Sequence, residues 1–326
     1  MAIRFHCFFS TSLAALLALG LAGCGEGDIQ FSGSTDTSTG GSGAGGGATG
    51  GGGTGGAGTS GSGTGASGTG GTSSTSSTVP AEHFSFFVTS LVVMQELSGS
   101  QSGFGGDLRF GETGPGAGLR GADKICATIA EKSMPGAGQK VWRAFLSAKA
   151  DENGNQVNAI DRVGEGPWYD RLGRVFALTK ADLLTERPTN IDPAIKDDFP
   201  NEDGVPNHAP DPGQGQVDNH DTLTGTNENG QLYAASGTCL DWTANAGNKA
   251  VEGHPRVGHS WPRYGGPGGG GPGGGDGSMA NWMSSLDESG CAPGVSIVEM
   301  GPPDPNSNTV GSGGGYGGFY CFSLTP

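Results

Sequence analysis

GLRGADKICATIA (118–130), followed after a short break by VWRAFLS (141–147), is the stretch on which the fold turns. In the first segment Ala122, Ile125, Cys126, Ile129 and Ala130 recur at i, i+3, i+4, i+7 and i+8. That spacing lays one apolar stripe along a helix from about Leu119 to Lys132 and points Cys126 at a core. Met134-Pro135-Gly136 ends the helix, because proline has no amide hydrogen and glycine accepts the turn geometry. VWRAFLS then alternates like a strand, with Trp142 as its large apolar side chain.

Working outward, FSFFVTSLVVM (84–94) is rich in β-branched and aromatic residues and predicts a buried strand that opens the fold. On the other side, Trp168 and Tyr169 precede a second strand over Arg174–Leu178, and residues 180–184 form a short helical turn. Residues 190–221 have no period and much Pro, Asp, Asn and Gly, which predicts a long loop of the kind that carries function or none. Residues 265–275 are a low-complexity glycine stretch, expected as a surface insertion. The expected class is α+β, with long loops between few regular elements.

The N-terminus predicts export. A single positive charge at Arg4 is followed by an apolar run through Phe8, Phe9, Leu13, Leu16, Leu17, Leu19 and Leu21, the layout of a secretory signal. Leu21-Ala22-Gly23-Cys24 resembles the lipobox of bacterial lipoproteins. The resemblance implies removal of residues 1–23 and lipidation of Cys24. Acyl chains contribute about 0.8 kcal/mol per buried CH₂, so several of them on Cys24 would hold the chain on a bilayer without a transmembrane helix. Residues 24–79 follow as a linker, nearly all Gly, Ser, Thr and Ala from Ser32 to Thr78, which cannot bury enough apolar area to offset ordering. A disordered tether of that length reaches roughly 40 Å. Residues 80–326 are then the one folded domain.

All Lys and Arg except Arg4, and all Asp and Glu except Glu26, Asp28 and Asp36, lie in that domain. Sixteen basic residues therefore face twenty-nine acidic ones, a net charge near −13. Nucleic acid and anionic headgroups are poor partners for such a surface, since phosphate binding needs a basic face. The domain's cysteines, Cys126, Cys239, Cys291 and Cys321, are even in number in an exported chain and contain no CxxC pair, which favours two disulfides over free thiols or a zinc site.

GLRGADKICATIA, VWRAFLS, LTGTNENGQLYAASGTCLDWT (223–243), NWMSSLDESGC (281–291) and the closing FYCFSL (319–324) together resemble the C-type-lectin-like fold in its endostatin-like bacterial branch, found in exported lipoproteins of largely unknown function. The resemblance spans roughly Phe84 to Leu324. It implies that Cys126 pairs with Cys321 and Cys239 with Cys291. It brings no sugar site, because neither E-P-N nor Q-P-D nor W-N-D, the triplets of calcium-dependent lectins, occurs. Formylglycine-generating enzymes share a related fold, but their cysteine chemistry has no free cysteine to use here.

Several residues have metal-ligating chemistry. Between Asp203 and Asp221, His208, Asp211, Asp218, His220 and Asp221 mix imidazole and carboxylate, and His208, Asp218, His220 and Asp221 are the candidate ligands for zinc, or their carboxylates for calcium. Their spacing matches no ligand signature, and an acidic solvated loop accounts for it as well. Asp151, Asn153 and Asn155 open like an EF-hand, but Gln156 and Arg162 stand where its glycine and glutamate belong. His254 and His259 form either a ligand pair or, the reading preferred here, a packing cluster with Trp261. Trp168, Trp242, Trp261 and Trp282 fit a core better than a stacking surface. No G-x-S-x-G, H-E-x-x-H or P-loop pattern occurs, so no catalytic residue and no firm cofactor is assigned.

The function expected is a non-enzymatic, lipid-anchored binding or adhesion module that recognises a glycan, matrix or protein ligand. The alternatives are a metal-dependent hydrolase using the His/Asp loop and a structural envelope lipoprotein. The expected place is the cell envelope, with the outer membrane or cell surface favoured over the inner membrane.

Overall fold

The computed structural model describes residues 83–208, 219–261, 281–297 and 303–326. The signal, Cys24, the tether, Asp211, Asp218 and the glycine stretch 265–275 lie outside them. The described part is α+β and carries two disulfides.

Its centre is the last strand, β8 (Gly315–Ser323), buried at every position. Strand β1 (Phe86–Val88) runs antiparallel along one side of it. Along the other side lie β2 (Trp142–Ala144), antiparallel, and β5 (Asp221–Leu223), parallel. The sheet continues from β5 through β6 (Arg256–His259) to β7 (Leu286–Asp287), while β3 (Trp168–Tyr169) and β4 (Val175–Ala177) form a separate hairpin.

Because successive strand residues point to opposite faces, β8 sorts its side chains into two cores. Phe319 and Cys321 join Phe87, Leu223, Val257 and the helix side. Tyr320 and Phe322 join Phe86, Val88, Phe145, Phe176, Phe199 and Trp282 in an aromatic core. Burial on both faces explains why FYCFS reads as continuous apolar sequence rather than as an alternation. Trp142, Trp168, Trp242, Trp261 and Trp282 are all buried.

Helix α2 (Ala117–Ser133) covers the first core with the stripe Ala122, Ile125, Cys126, Ile129 and Ala130, as its periodicity predicts. Cys126 bonds to Cys321, so the helix is joined covalently to the central strand. Cys239 bonds to Cys291. Two glycines of α2 are dictated by close approach: a Cβ on Gly118 would lie 2.1 Å from the Asp241 carbonyl oxygen, and one on Gly121 would lie 2.2 Å from those of Leu108 and Arg109.

The opening segment corrects its sequence reading. Only Phe86–Val88 is a strand; Leu91–Ser98 is a helix, α1. Ser90 caps it by accepting the Val93 amide, and Gly99 ends it in the left-handed conformation. The caps at both ends, with Val93 and Met94 facing inward, override the β-preference of the Val-Val pair. After a short helix α3 (Ala159–Arg162), the expected short turn near 180–184 is α4 (Lys180–Leu183), opened by a Thr179/Asp182 capping box. No helix among the described residues is long and apolar enough to cross a membrane.

Replacing Gly118 by Ala drives a methyl group into the Asp241–Trp242 backbone. The substitution is expected to destabilise the domain by about 1 to 3 kcal/mol, the usual cost of overpacking. Thermal unfolding followed by circular dichroism checks this against Gly237→Ala, whose added Cβ makes only ordinary contacts of 3.5 Å or more.

Candidate functional site

The polar centre of the domain is built where β5 leaves the loop. Asp221 opens β5 and stands directly opposite His259 in the antiparallel pairing with β6. His220 precedes the strand and is fixed by the Ser260 amide, which donates to its carbonyl. On the other side of β5, the register against β8 shifts between Asp221 and Thr222, whose partners are Gly315 and Gly318. The extra residues Tyr316 and Gly317 form a bulge that Gly317 permits with φ +75°. Glycine is required beside Asp221 as well, since a Cβ on Gly313 would lie 2.8 Å from Asp221 Oδ2.

His220, Asp221 and His259 converge there, one ligand atom from each lying within 4.8 Å of the others. Asp221 Oδ1 is 3.0 Å from His259 Nε2 and 3.4 Å from His220 Nε2. The imidazole rings meet edge to face at 4.1 Å. All three residues are enclosed, with exposures of 1%, 2% and 0%. His259 Nδ1 lies 3.3 Å from the Ser285 hydroxyl, and the Arg187 guanidinium donates to the His259 carbonyl at 2.8 Å.

A second carboxyl group sits against this centre. Glu288 is buried, accepts the Ser312 hydroxyl and the Gly313 amide on Oε2, and shares a side-chain hydrogen bond with Asp221. Burial first, and then the neighbouring Asp221 charge, pushes the Glu288 carboxyl well above the usual carboxylate range.

The histidines of the sequence reading separate. His220 and Asp221 are in the cluster. His208 is not: its ring stacks on Trp261 at 4.1 Å, its Nδ1 lies 3.8 Å from Asp198, and its side chain is 47% exposed. Asp218 lies outside the described residues. The pair His254/His259 is divided, His254 facing Asp287 near the surface and His259 entering the core. His259, read from the sequence as packing rather than as a ligand and paired there with His254, was not joined to His220, because their nearness is created by the β5–β6 pairing rather than by local spacing. The one usable signal was its place in the alternation of RVGH, which turns it inward. Asp151 closes its own turn by accepting the Asn153 and Asn155 amides, as befits a loop and not an EF-hand.

A second feature lies at the surface. Cys239, Leu240, Asp241 and Trp242 all have positive φ, from 48° to 64°, so α5 (Cys239–Trp242) is a single left-handed turn made of L-residues without glycine. Such a turn costs roughly 1 to 2 kcal/mol per residue. It is held by the Cys239–Cys291 bond, by the Trp242 indole donating to the Ser147 carbonyl at 2.8 Å and by Asp241 accepting the Lys149 amide at 2.6 Å. Leu240 projects from it, 48% exposed. Tyr233, also exposed, carries the Arg256 guanidinium over its ring at 4.4 Å.

No family model, no curated protein and no solved structure matches this chain.

Asp198, beside His208, has its carboxyl pushed up to about 6 by burial, against the favourable His208 amide and Arg187 charge. A raised folded-state value means that ionisation opposes folding. The wild type is therefore expected to lose stability relative to Asp198→Asn as pH rises from about 4 to 6, on the order of 3 kcal/mol for two units, with a constant gap above that window. Thermal midpoints of the two proteins between pH 4 and 7 measure the effect; a gap that closes with rising pH contradicts it.

Proposed function

We propose that the chain is a lipid-anchored binding module of the cell envelope, tethered through Cys24 and non-catalytic, with a glycan, matrix or protein ligand. The observation that carries this reading is the left-handed turn Cys239–Trp242. Backbone strain persists only where the surroundings over-determine it, and it collects at sites of recognition or chemistry. Here the strain is held by a disulfide, one buried hydrogen bond and one at the surface, and its outcome is a surface turn that offers an apolar side chain, Leu240, to solvent. A preorganised turn loses little entropy on binding. The imidazole and carboxylate cluster, by contrast, is enclosed in the core, where a structural part suits it better than turnover of a substrate.

The acidic domain surface and the long tether support a ligand that is neutral or cationic and reached at a distance from the bilayer. Asparagine tolerates the left-handed conformation, so Leu240→Asn removes the apolar contact and leaves the turn. We expect this variant to keep its unfolding midpoint and to lose at least tenfold in binding to glycan arrays or immobilised matrix preparations on which the wild type gives a signal. Equal binding by the variant, or no signal from the wild type on either support, contradicts the proposal. Cys24→Ala is expected to move the protein from the membrane fraction to the soluble one.

A further inference from the structure

We propose that His220, Asp221 and His259 hold a divalent transition-metal ion, zinc foremost, as a structural ion of the domain. Zinc bound by imidazole nitrogen and carboxylate oxygen at about 2.0 to 2.1 Å in a tetrahedron keeps its ligand atoms about 3.3 Å apart. The two Nε2-to-Oδ1 separations here, 3.0 and 3.4 Å, bracket that edge. All three ligand atoms lie within 4.8 Å of one another, so an ion is seated once the two imidazoles close on it.

The surroundings agree with such an ion. A metal-binding histidine ordinarily engages its other ring nitrogen with a fixed oxygen, and His259 Nδ1 meets the Ser285 hydroxyl. In the tautomer that donates to Ser285, the Nε2 lone pair faces the Asp221 oxygen. Asp221 is in turn engaged by the buried carboxyl group of Glu288, as a ligating carboxylate ordinarily is by a hydrogen-bonding neighbour.

The set of two imidazoles and a carboxylate is a borderline donor set, suited to zinc and its neighbours rather than to calcium, which takes six to eight oxygens. The ligands come from the ends of two paired strands and from a residue just before one of them. The ion would therefore tie the start of β5 to the end of β6, a structural role independent of what the surface turn binds.

The test uses the full chain, purified in detergent without chelator. Elemental analysis is expected to find about one zinc per chain. Stripping the metal should lower the unfolding midpoint, and added zinc chloride should restore it. His220→Ala and His259→Ala should each weaken zinc binding at least 100-fold, Ser285→Ala should weaken it about 10- to 100-fold, and His208→Ala should leave it unchanged. Because a truncated core histidine can itself unfold the chain, cobalt loaded into the stripped wild type gives a check that needs no variant. Intense visible bands of a four-coordinate ion are expected. The proposal is overturned if the wild type holds no zinc, manganese, iron or nickel and none of them shifts its midpoint. It is equally overturned if the folded double histidine variant binds as tightly as the wild type, or if cobalt shows only the weak bands of a six-coordinate surface ion.

Discussion

The bond between Cys126 and Cys321 joins the first long helix to the last strand across 195 residues, and the rest of the domain is arranged around that junction. Strand β8, GYGGFYCFS, has three strand partners and two buried faces, yet three of its nine residues are glycine, which weakens a strand by itself. Its order comes from non-local pairing with β1, β2 and β5 and from the covalent link to α2. Closing so long a loop in the unfolded chain is worth about 5 kcal/mol in a chain-entropy account. That is comparable to the whole net stability of many domains. The helix in turn reaches the strand only because Gly118 and Gly121 let the backbones of Asp241 and Leu108–Arg109 lie against it.

The same strand shapes the polar centre. Its C-terminal half sorts Phe319, Tyr320, Cys321 and Phe322 into the two cores, and its N-terminal half bulges at Tyr316–Gly317 and leaves room for Asp221. The Tyr316 hydroxyl, aimed by that bulge, bonds the Thr89 carbonyl and Asn207, and so links the strand to the segment before His208. The glycines that look like low-complexity sequence near the C-terminus thus meet two demands, close packing beside a carboxylate and a turn of positive φ.

What could be read in the sequence was what rests on local pattern. The α2 stripe, its ending at Met134, the β2 and β4 strands and the turn at Lys180 all follow from spacing and capping residues, and they stand nearly where the sequence puts them. The segment after Val88 was misread because a run of β-branched residues carries no sign of direction, and the deciding signal was the cap pair Ser90 and Gly99. At the centre, His220 and Asp221 were named, but His259 became their neighbour only through pairing of strands some forty residues apart. Neither Glu288 nor the left-handed turn leaves a local signature: the first is defined by burial beside Asp221, the second by a disulfide and backbone contacts.

The helix-to-last-strand staple holds the two cores of the domain to one strand, and non-reducing peptide mapping of the purified chain tests it most directly. Proteolysis under conditions that block thiol exchange should yield one linked pair containing Cys126 and Cys321 and another containing Cys239 and Cys291. A peptide linking Cys126 to Cys239, or four free thiols, would contradict both the central strand and the left-handed turn built on it.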